Sequence, residues 1–378
     1  MKIKSLIQKL ILSFIKPCLI FESYPDFADN TKYVFDEFVK RDYYKKYYLY
    51  WFIDYDKAAS YHNGEIEYWN PKDKRSIKKY IRHLRYYKKV KAYILCNRYV
   101  LPEKNNDYST TFYLTHGMPL KNISGYYRVP DRIDYCISPS EETRAVMEYC
   151  FGYDYDKIVP LGFPRNDVFI EREIDVKTQF ENINKIIIWY PTYKQHKFGM
   201  KTNCEHPIPI IHNKESIQRI NKLLFDNKIL IIIKPHFSQD LSFIKREKLS
   251  NIMFIDDSFF QKFNILPYQF LHSCDALLTD YSSVYSDYLL SNKPIGLIWE
   301  DIDDYLKYPG LYPKYDDITF GTHKIYSIDD MIDFIKMIAE GKDSLESERN
   351  RLRDKLNIST DGQNTKRVVD FIVEKAKL

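Results

Sequence analysis

The chain has 378 residues, 44% of them apolar and 29% charged, with a formal net charge of +5 at pH 7. That length and apolar share fit two folded domains and exclude disorder as the main state. No apolar run approaches the roughly 20 residues that cross a bilayer, which excludes an integral channel or transporter.

Residues 1–15 read as a short amphipathic helix, with Leu6, Ile7, Leu10, Ile11 and Phe14 on one face and Lys2, Lys4 and Lys9 nearby. It is a packed helix, an interfacial anchor or a signal peptide. Lys9 inside the apolar stretch and the lack of an AxA-like site stand against the last. Apolar runs at 18–21, 47–53, 92–96, 112–114, 135–137 and 158–161 then read as buried strands. Helical stretches at 32–40, 73–89 and 141–149 lie between most of them. A second series of strands follows at 186–190, 229–233, 253–255, 276–278 and 295–298. Its helices fall at 215–226, 267–273, 284–291 and 329–340. Repeated strand–helix alternation predicts parallel sheets with right-handed crossovers, and two series predict two Rossmann-like domains. The polar stretch 171–184 is the expected boundary, giving a first domain over 1–170 and a second over 171–358. Residues 360–377 read as a last helix that can pack back on the first domain.

From 72 to 91 the chain carries ten basic residues, among them Lys78, Lys79, Arg82 and Arg85, and one acid, Asp73. Tyr80, Ile81, Leu84, Tyr87 and Val90 are interleaved. This predicts a basic amphipathic helix, either a solvated outer helix or a surface for anionic membrane. No nucleic-acid motif accompanies the charge, so nucleic acid is not an expected partner.

Glycine is scarce: 11 residues, where average usage of about 7% would give about 26. No two lie closer than Gly117 and Gly125. A GxGxxG fingerprint and a GxxxxGK[ST] loop are therefore both impossible, and phosphate binding needs another device. The six cysteines form no CxxC pair and read as reduced, structural thiols of a cytoplasmic protein. The nine histidines include no HExxH, and the three D-x-D triplets arise easily in such a chain, so no metal site is expected.

In open parallel sheets ligands bind beyond the carboxyl ends of the strands, so the residues after each run carry the chemistry. Thr115-His116-Gly117-Met118-Pro119-Leu120-Lys121 puts a histidine on a βα turn, suited to proton transfer or merely hydrogen-bonded there. Gly162-Phe163-Pro164-Arg165-Asn166-Asp167 is a rigid turn whose arginine suits an anion or a structural ion pair. Pro191-Thr192-Tyr193-Lys194 and Lys234-Pro235-His236 offer cations at strand ends. Thr279-Asp280-Tyr281-Ser282-Ser283 ends at a helix start, where free N–H groups favour an anion or a serine simply caps.

These five motifs, in this order, resemble the CDP-glycerol glycerophosphotransferase family of teichoic acid and capsule enzymes. The opening Phe21-Glu22-Ser23-Tyr24 and the later Asn30-Thr31 also look like that family's start. Met118 stands where the family usually has threonine, Lys194 where arginine is frequent, and Lys-Pro-His where Arg/Lys-x-His-Pro is common. The resemblance implies an α/β GT-B fold, two Rossmann-like domains with parallel sheets facing a central cleft. It implies transfer of a polyol phosphate from CDP-glycerol, or CDP-ribitol, to a hydroxyl of a lipid-linked or anionic glycopolymer acceptor, with release of CMP. His116 is then the general base. Arg165, Thr192, Lys194, Lys234, His236, Asp280, Ser282 and Ser283 bind the donor, and Gly117 and Lys121 lie on the acceptor side. No metal or cofactor is required, and the expected place is the cytoplasmic face of the membrane. The short chain favours a primase or single-addition enzyme over a polymerase. The rivals are a GT-B glycosyltransferase using a nucleotide sugar and a non-enzymatic scaffold that keeps the fold.

Overall fold

The structure is a computed structural model that describes residues 14, 16–52, 66–69, 88–96, 109–124, 132–171, 173–192, 208–235, 247–357 and 360–378. These fall into two compact units. One is drawn from residues 1–116, 127–167 and 361–378, the other from 117–126 and 168–360. The chain passes between units inside the 3-10 turn Pro164–Ile170, just ahead of the expected polar stretch.

The first unit holds seven strands: β1 (Cys18–Glu22), β2 (Tyr48–Phe52), β3 (Ile66–Trp69), β4 (Val90–Leu95), β5 (Thr110–Tyr113), β6 (Tyr135–Ser138) and β7 (Ile158–Pro160). They pair in the order β3-β2-β1-β4-β5-β6-β7, every pair parallel. The order reverses between β1 and β4, where Glu22 aligns with Leu95. β1 is buried at every position, as a strand covered on both faces must be. Helix Asp29–Lys40 covers it with Val34, Phe35 and Phe38, one stripe at helical spacing. The last helix, Asn364–Ala376, packs beside it through Val368, Val369 and Ile372, and Phe371 sets its ring edge-on against Phe112 and Tyr135.

The second unit holds β8 (Lys185–Tyr190), β9 (Ile229–Ile233), β10 (Ile252–Phe254), β11 (Ala276–Thr279), β12 (Ile295–Ile298) and β13 (His323–Ile325). Their order is β10-β9-β8-β11-β12-β13, again all parallel. β9 reads Ile-Leu-Ile-Ile-Ile and is buried throughout. Ile217, Ile220 and Leu224 of helix Lys214–Asp226, with Met331, Phe334 and Ile335 of helix Ile328–Glu340, close its core. Each such side chain contributes about 1.5–3 kcal/mol on full burial.

Several elements differ from the expectation. β3 and β13 were not expected, and β13 is short, with only Ile325 fully buried. The helix expected up to residue 91 is already strand at Val90 and Lys91, because β4 must pair with β1 there. Its other residues before Lys88 lie outside the described residues, as do 1–13 and 15. Helices Asp257–Lys262 and Ile302–Lys307 are too short to carry an apolar period. Helix Glu346–Leu356 is long enough, but its buried side is Arg349, Leu352 and Leu356, so charge masks the stripe.

Arg349 is fully buried and pairs with Asp343, while its guanidinium also donates to the Asn292 carbonyl at 2.9 Å. Gly321 makes that approach possible, since a Cβ there would stand 2.6 Å from Arg349 Cα. Burial works to raise the Asp343 carboxyl, but the bond and charge of Arg349 outweigh it and hold it below its ordinary value of 3.8. A carboxyl depressed on folding stabilises above its unfolded pKa and loses that contribution as pH falls through its folded pKa. Asp343→Asn strands a buried cation and costs about 3–5 kcal/mol at neutral pH. Thermal melts below about pH 4 should therefore fall more steeply in the wild type than in Asp343→Asn.

Candidate active site

In the first unit the polar clusters converge around one buried side chain, Asn30. Its Nδ2 donates to the carbonyls of Leu114 at 3.1 Å and Thr115 at 3.0 Å. Its Oδ1 accepts from the backbone N–H of Arg165 at 3.1 Å. Next to it, Thr31 Oγ1 donates to the Glu22 carbonyl at 3.1 Å, tying the helix to the end of β1 at the strand-order reversal. Thr115 sits at φ +54°, a conformation costly for a β-branched residue. The two bonds from Asn30 hold the loop there. His116 follows, partly buried, its ring 6.5 Å from that of Phe151 in an edge arrangement.

Arg165 is buried, and its guanidinium forms an ion pair with Asp29 and donates to the His116 carbonyl at 3.0 Å. These bonds of Arg165 lie inside the first unit. Asp167 accepts from the N–H groups of Asn364 at 2.9 Å and Thr365 at 2.8 Å, capping the last helix. Burial raises its carboxyl above the ordinary value, with the Thr365 and Asn364 bonds acting the other way.

The chain enters the second unit at Gly117, whose φ of +130° suits glycine. Residues 120–122 pair there with 310–312. Tyr312 N donates to the Leu120 carbonyl and Asn122 N to the Gly310 carbonyl, both at 2.9 Å, across an antiparallel bridge between Lys121 and Leu311. Gly117 and Lys121, expected on the first domain, therefore belong with the second. Burial lowers the Lys121 ammonium from its ordinary value, and the charge of Asp280 acts to raise it.

Asp280 stands where the second sheet reverses, between β8 and β11. It is buried and accepts from the N–H of Thr192 at 2.8 Å, the hydroxyl of Thr192 and the N–H of Tyr281 at 2.6 Å. Ser282 and Ser283 follow, both half-buried, before the single helical turn Val284–Tyr288. Ser283 makes no side-chain cap bond with that turn. Lys234, after β9, is partly buried and pairs with Asp257 at 3.1 Å. Lys194 and His236 lie outside the described residues. The structure thus brings Thr192, Asp280, Ser282, Ser283, Lys121 and Lys234 to the strand ends of one sheet, and His116 with Arg165 to those of the other.

Sequence reasoning missed an aromatic wall beyond β11 and β12. Tyr281 stacks on Tyr305 with centroids 3.6 Å apart, and its hydroxyl donates to Asp301 at 3.0 Å. The Lys324 ammonium lies 4.2 Å from the Trp299 ring and donates to the Thr319 carbonyl. Burial pushes it down to about 7, against the charge of Asp316. A lone lysine in a three-residue strand carries no sequence signal that could have marked it.

A family model described as CDP-Glycerol:Poly(glycerophosphate) glycerophosphotransferase matches residues 7–374. The chain is 27% identical over 337 residues to a teichoic acid poly(glycerol phosphate) polymerase of Staphylococcus epidermidis, covering 80% of this chain and 43% of that protein. It is 28% identical over 262 residues to a teichoic acid poly(ribitol-phosphate) polymerase of Bacillus spizizenii, covering 67% of this chain and 38% of that protein. It spans less than half the length of these two relatives. Among solved structures, the wall teichoic acid polymerase TagF superposes with a TM-score of 0.70 at 20% identity, over 97% of this chain and 91% of that chain. A TagF variant soaked with CDPG gives 0.69 at 20% identity, over 98% and 93%. The Staphylococcus aureus MnaA–UDP co-structure gives 0.54 at 11% identity, over 96% and 97%. These likenesses establish an α/β fold of the GT-B type.

Asp280 is the buried acceptor that closes the strand-order reversal of the second sheet. Asp280→Asn keeps one acceptor oxygen where two oxygens now serve the N–H groups of Thr192 and Tyr281, so one buried N–H loses its partner. The expected loss is about 1–3 kcal/mol, read as a lower urea midpoint with unchanged slope.

Proposed function

The chain belongs to the CDP-glycerol:poly(glycerophosphate) glycerophosphotransferase family, and from that premise we propose that it transfers a polyol phosphate, glycerol phosphate first, from a CDP-polyol to an acceptor hydroxyl. The observation that carries this reading is the cluster of hydroxyl and lysine side chains at the strand ends of the second unit, which we read as a glycine-free anion cradle. Ser282 and Ser283 follow β11 half-buried where the strand order reverses, Lys121 adds charge there, and Thr192 is held in place by Asp280, with Lys234, paired to Asp257, one strand away. The TagF variant soaked with CDPG is consistent with the donor class.

In the proposed step the acceptor oxygen attacks the phosphorus that bears the polyol. A new P–O bond forms as the anhydride P–O bond breaks, and CMP leaves with the electron pair. His116 takes the acceptor proton and later returns it to solvent. Phosphoryl transfer needs positioning and charge neutralisation more than covalent catalysis, and this donor set supplies both. The step is written without a metal or cofactor, with the cradle's cations facing the diphosphate. Lys194 and His236 are assigned to the same donor set by their motifs.

CDP-ribitol is the second donor, since the relatives include both glycerol-phosphate and ribitol-phosphate polymerases at nearly equal identity. CMP release is the test, with CDP-glycerol, CDP-ribitol and a UDP-sugar offered in parallel, a lipid-linked acceptor present and EDTA added. We expect turnover of one CDP-polyol, unaffected by EDTA and lowered about 10²–10⁴-fold by His116→Ala. Turnover of the UDP-sugar alone would favour the nucleotide-sugar reading, and no turnover of any donor would favour the scaffold.

The acceptor class proposed is a lipid-linked or anionic glycopolymer, and the proposed place of action is the cytoplasmic membrane face. Among the described residues no helix is long and apolar enough to cross a membrane. The basic run 72–91 and the stretch 1–15 are the proposed contacts with anionic lipid. Co-sedimentation with vesicles containing anionic lipid should fall as salt rises and fall further with Lys78, Lys79, Arg82 and Arg85 changed to Gln. Equal binding to neutral vesicles would count against the electrostatic contact.

A further inference from the structure

Arg165 is expected by motif to hold the donor, and the structure shows it bonded to Asp29, Asn30 and His116, all of the first unit. Its guanidinium is buried, with a side-chain exposure of 3%, and pairs with the Asp29 carboxylate. A cation neutralised in this way presents little field to a second anion, and a diphosphate would have to displace a buried ion pair. Its other terminal nitrogen donates to the carbonyl of His116. Its backbone N–H is held by Asn30, whose amide also grips the carbonyls of Leu114 and Thr115. The backbone on both sides of the strained Thr115 is therefore pinned, next to His116.

The 164–167 turn is itself anchored at its far end. Asp167 caps the last helix through Asn364 and Thr365, and Thr365 Oγ1 donates to the Pro164 carbonyl at 3.2 Å. Arg367 adds a bond to the Leu161 carbonyl at 3.3 Å. The arginine thus acts from a turn fixed to the first unit at both ends.

We propose that Arg165, braced by Asp29 and Asn30, is a positioning residue for His116 and makes no contact with the donor. The inference rests on the reading of His116 as general base. It separates two roles that the sequence motif alone merges: the Gly-Phe-Pro-Arg-Asn-Asp turn aims the proton acceptor, and the second unit binds the diphosphate. A guanidinium is needed because one planar fork must serve a carboxylate and a carbonyl at once, which a lysine ammonium cannot do in the same geometry.

The test uses the full chain with Arg165→Lys, Arg165→Met and Asp29→Asn, each accepted only if its far-UV spectrum and cooperative melt match the wild type. Asp29→Asn keeps the arginine and serves if the Arg165 variants do not fold. CDP-glycerol binding is measured by calorimetry without acceptor, CMP release with it. A displaced general base costs on the order of 10²-fold, so kcat should fall by roughly that factor in Arg165→Met, with the affinity for CDP-glycerol within about twofold of wild type. Arg165→Met combined with His116→Ala should be no slower than His116→Ala alone. A readout independent of turnover is the His116 imidazole proton resonance, assigned by its loss in His116→Ala. It should shift or broaden in Arg165→Met and Asp29→Asn without any donor. If the wild type binds CDP-glycerol but releases no CMP, the reading of His116 fails while this resonance still decides whether Arg165 positions it. A tenfold or greater loss of CDP-glycerol affinity in folded Arg165→Met, with the His116 resonance unmoved, would overturn the proposal.

Discussion

One buried carboxamide ties together the loops of the first unit's candidate site. Asn30 is the second residue of a helix, yet its side chain serves segments more than eighty positions away. It donates to two consecutive loop carbonyls and accepts from the backbone of a third segment. Each of those groups would cost about 1–3 kcal/mol if buried without a partner. The bonds from Asn30 thus offset part of the cost of the left-handed turn at Thr115 in the loop carrying His116. The short side chain matters: a glutamine would carry its amide past the carbonyls, and an aspartate would offer acceptors to acceptors.

The second unit solves the same problem with a carboxylate. Where parallel strands reverse their order, the loops diverge and backbone N–H groups are left at the opening. Asp280 gathers two of them, from Thr192 and Tyr281, together with a hydroxyl. Its negative charge lies at a place proposed to receive an anion, which is why the lysine at 121 matters. The antiparallel bridge between Lys121 and Leu311 delivers an ammonium whose field Asp280 feels. Residues 116–121 thus have one end fixed in each unit, and Gly117 supplies the backbone freedom at the change-over.

Much of the fold was legible in the sequence because its central strands are buried on both faces. Ile229–Ile233 and Cys18–Glu22 are continuous apolar runs, and such runs leave few other readings. Elements that failed to announce themselves did so for physical reasons. Glu346–Leu356 buries an arginine in place of an apolar stripe, and that arginine is tolerable only because Asp343 and the Asn292 carbonyl meet it. His323–Ile325 is an edge strand too short to show a period. Lys91 sits in a basic run that reads as helix, but pairing with β1 imposes strand from Val90 onward.

The same division holds at the candidate site. The sequence by itself determined the chemical inventory: a histidine after one strand, hydroxyls and an aspartate after another, and a family motif order that is specific because five elements recur together. These are local facts, fixed by which residue follows which strand. Only the tertiary structure decided what each polar group is bonded to. It turned Arg165 inward onto Asp29 and the His116 carbonyl, made Asp167 the cap of a helix nearly two hundred residues later, and moved Lys121 to the second unit beside Asp280. Hydrogen bonds and ion pairs act over about 3–4 Å whatever the separation along the chain. A motif names the groups that can bond; packing alone selects the partners.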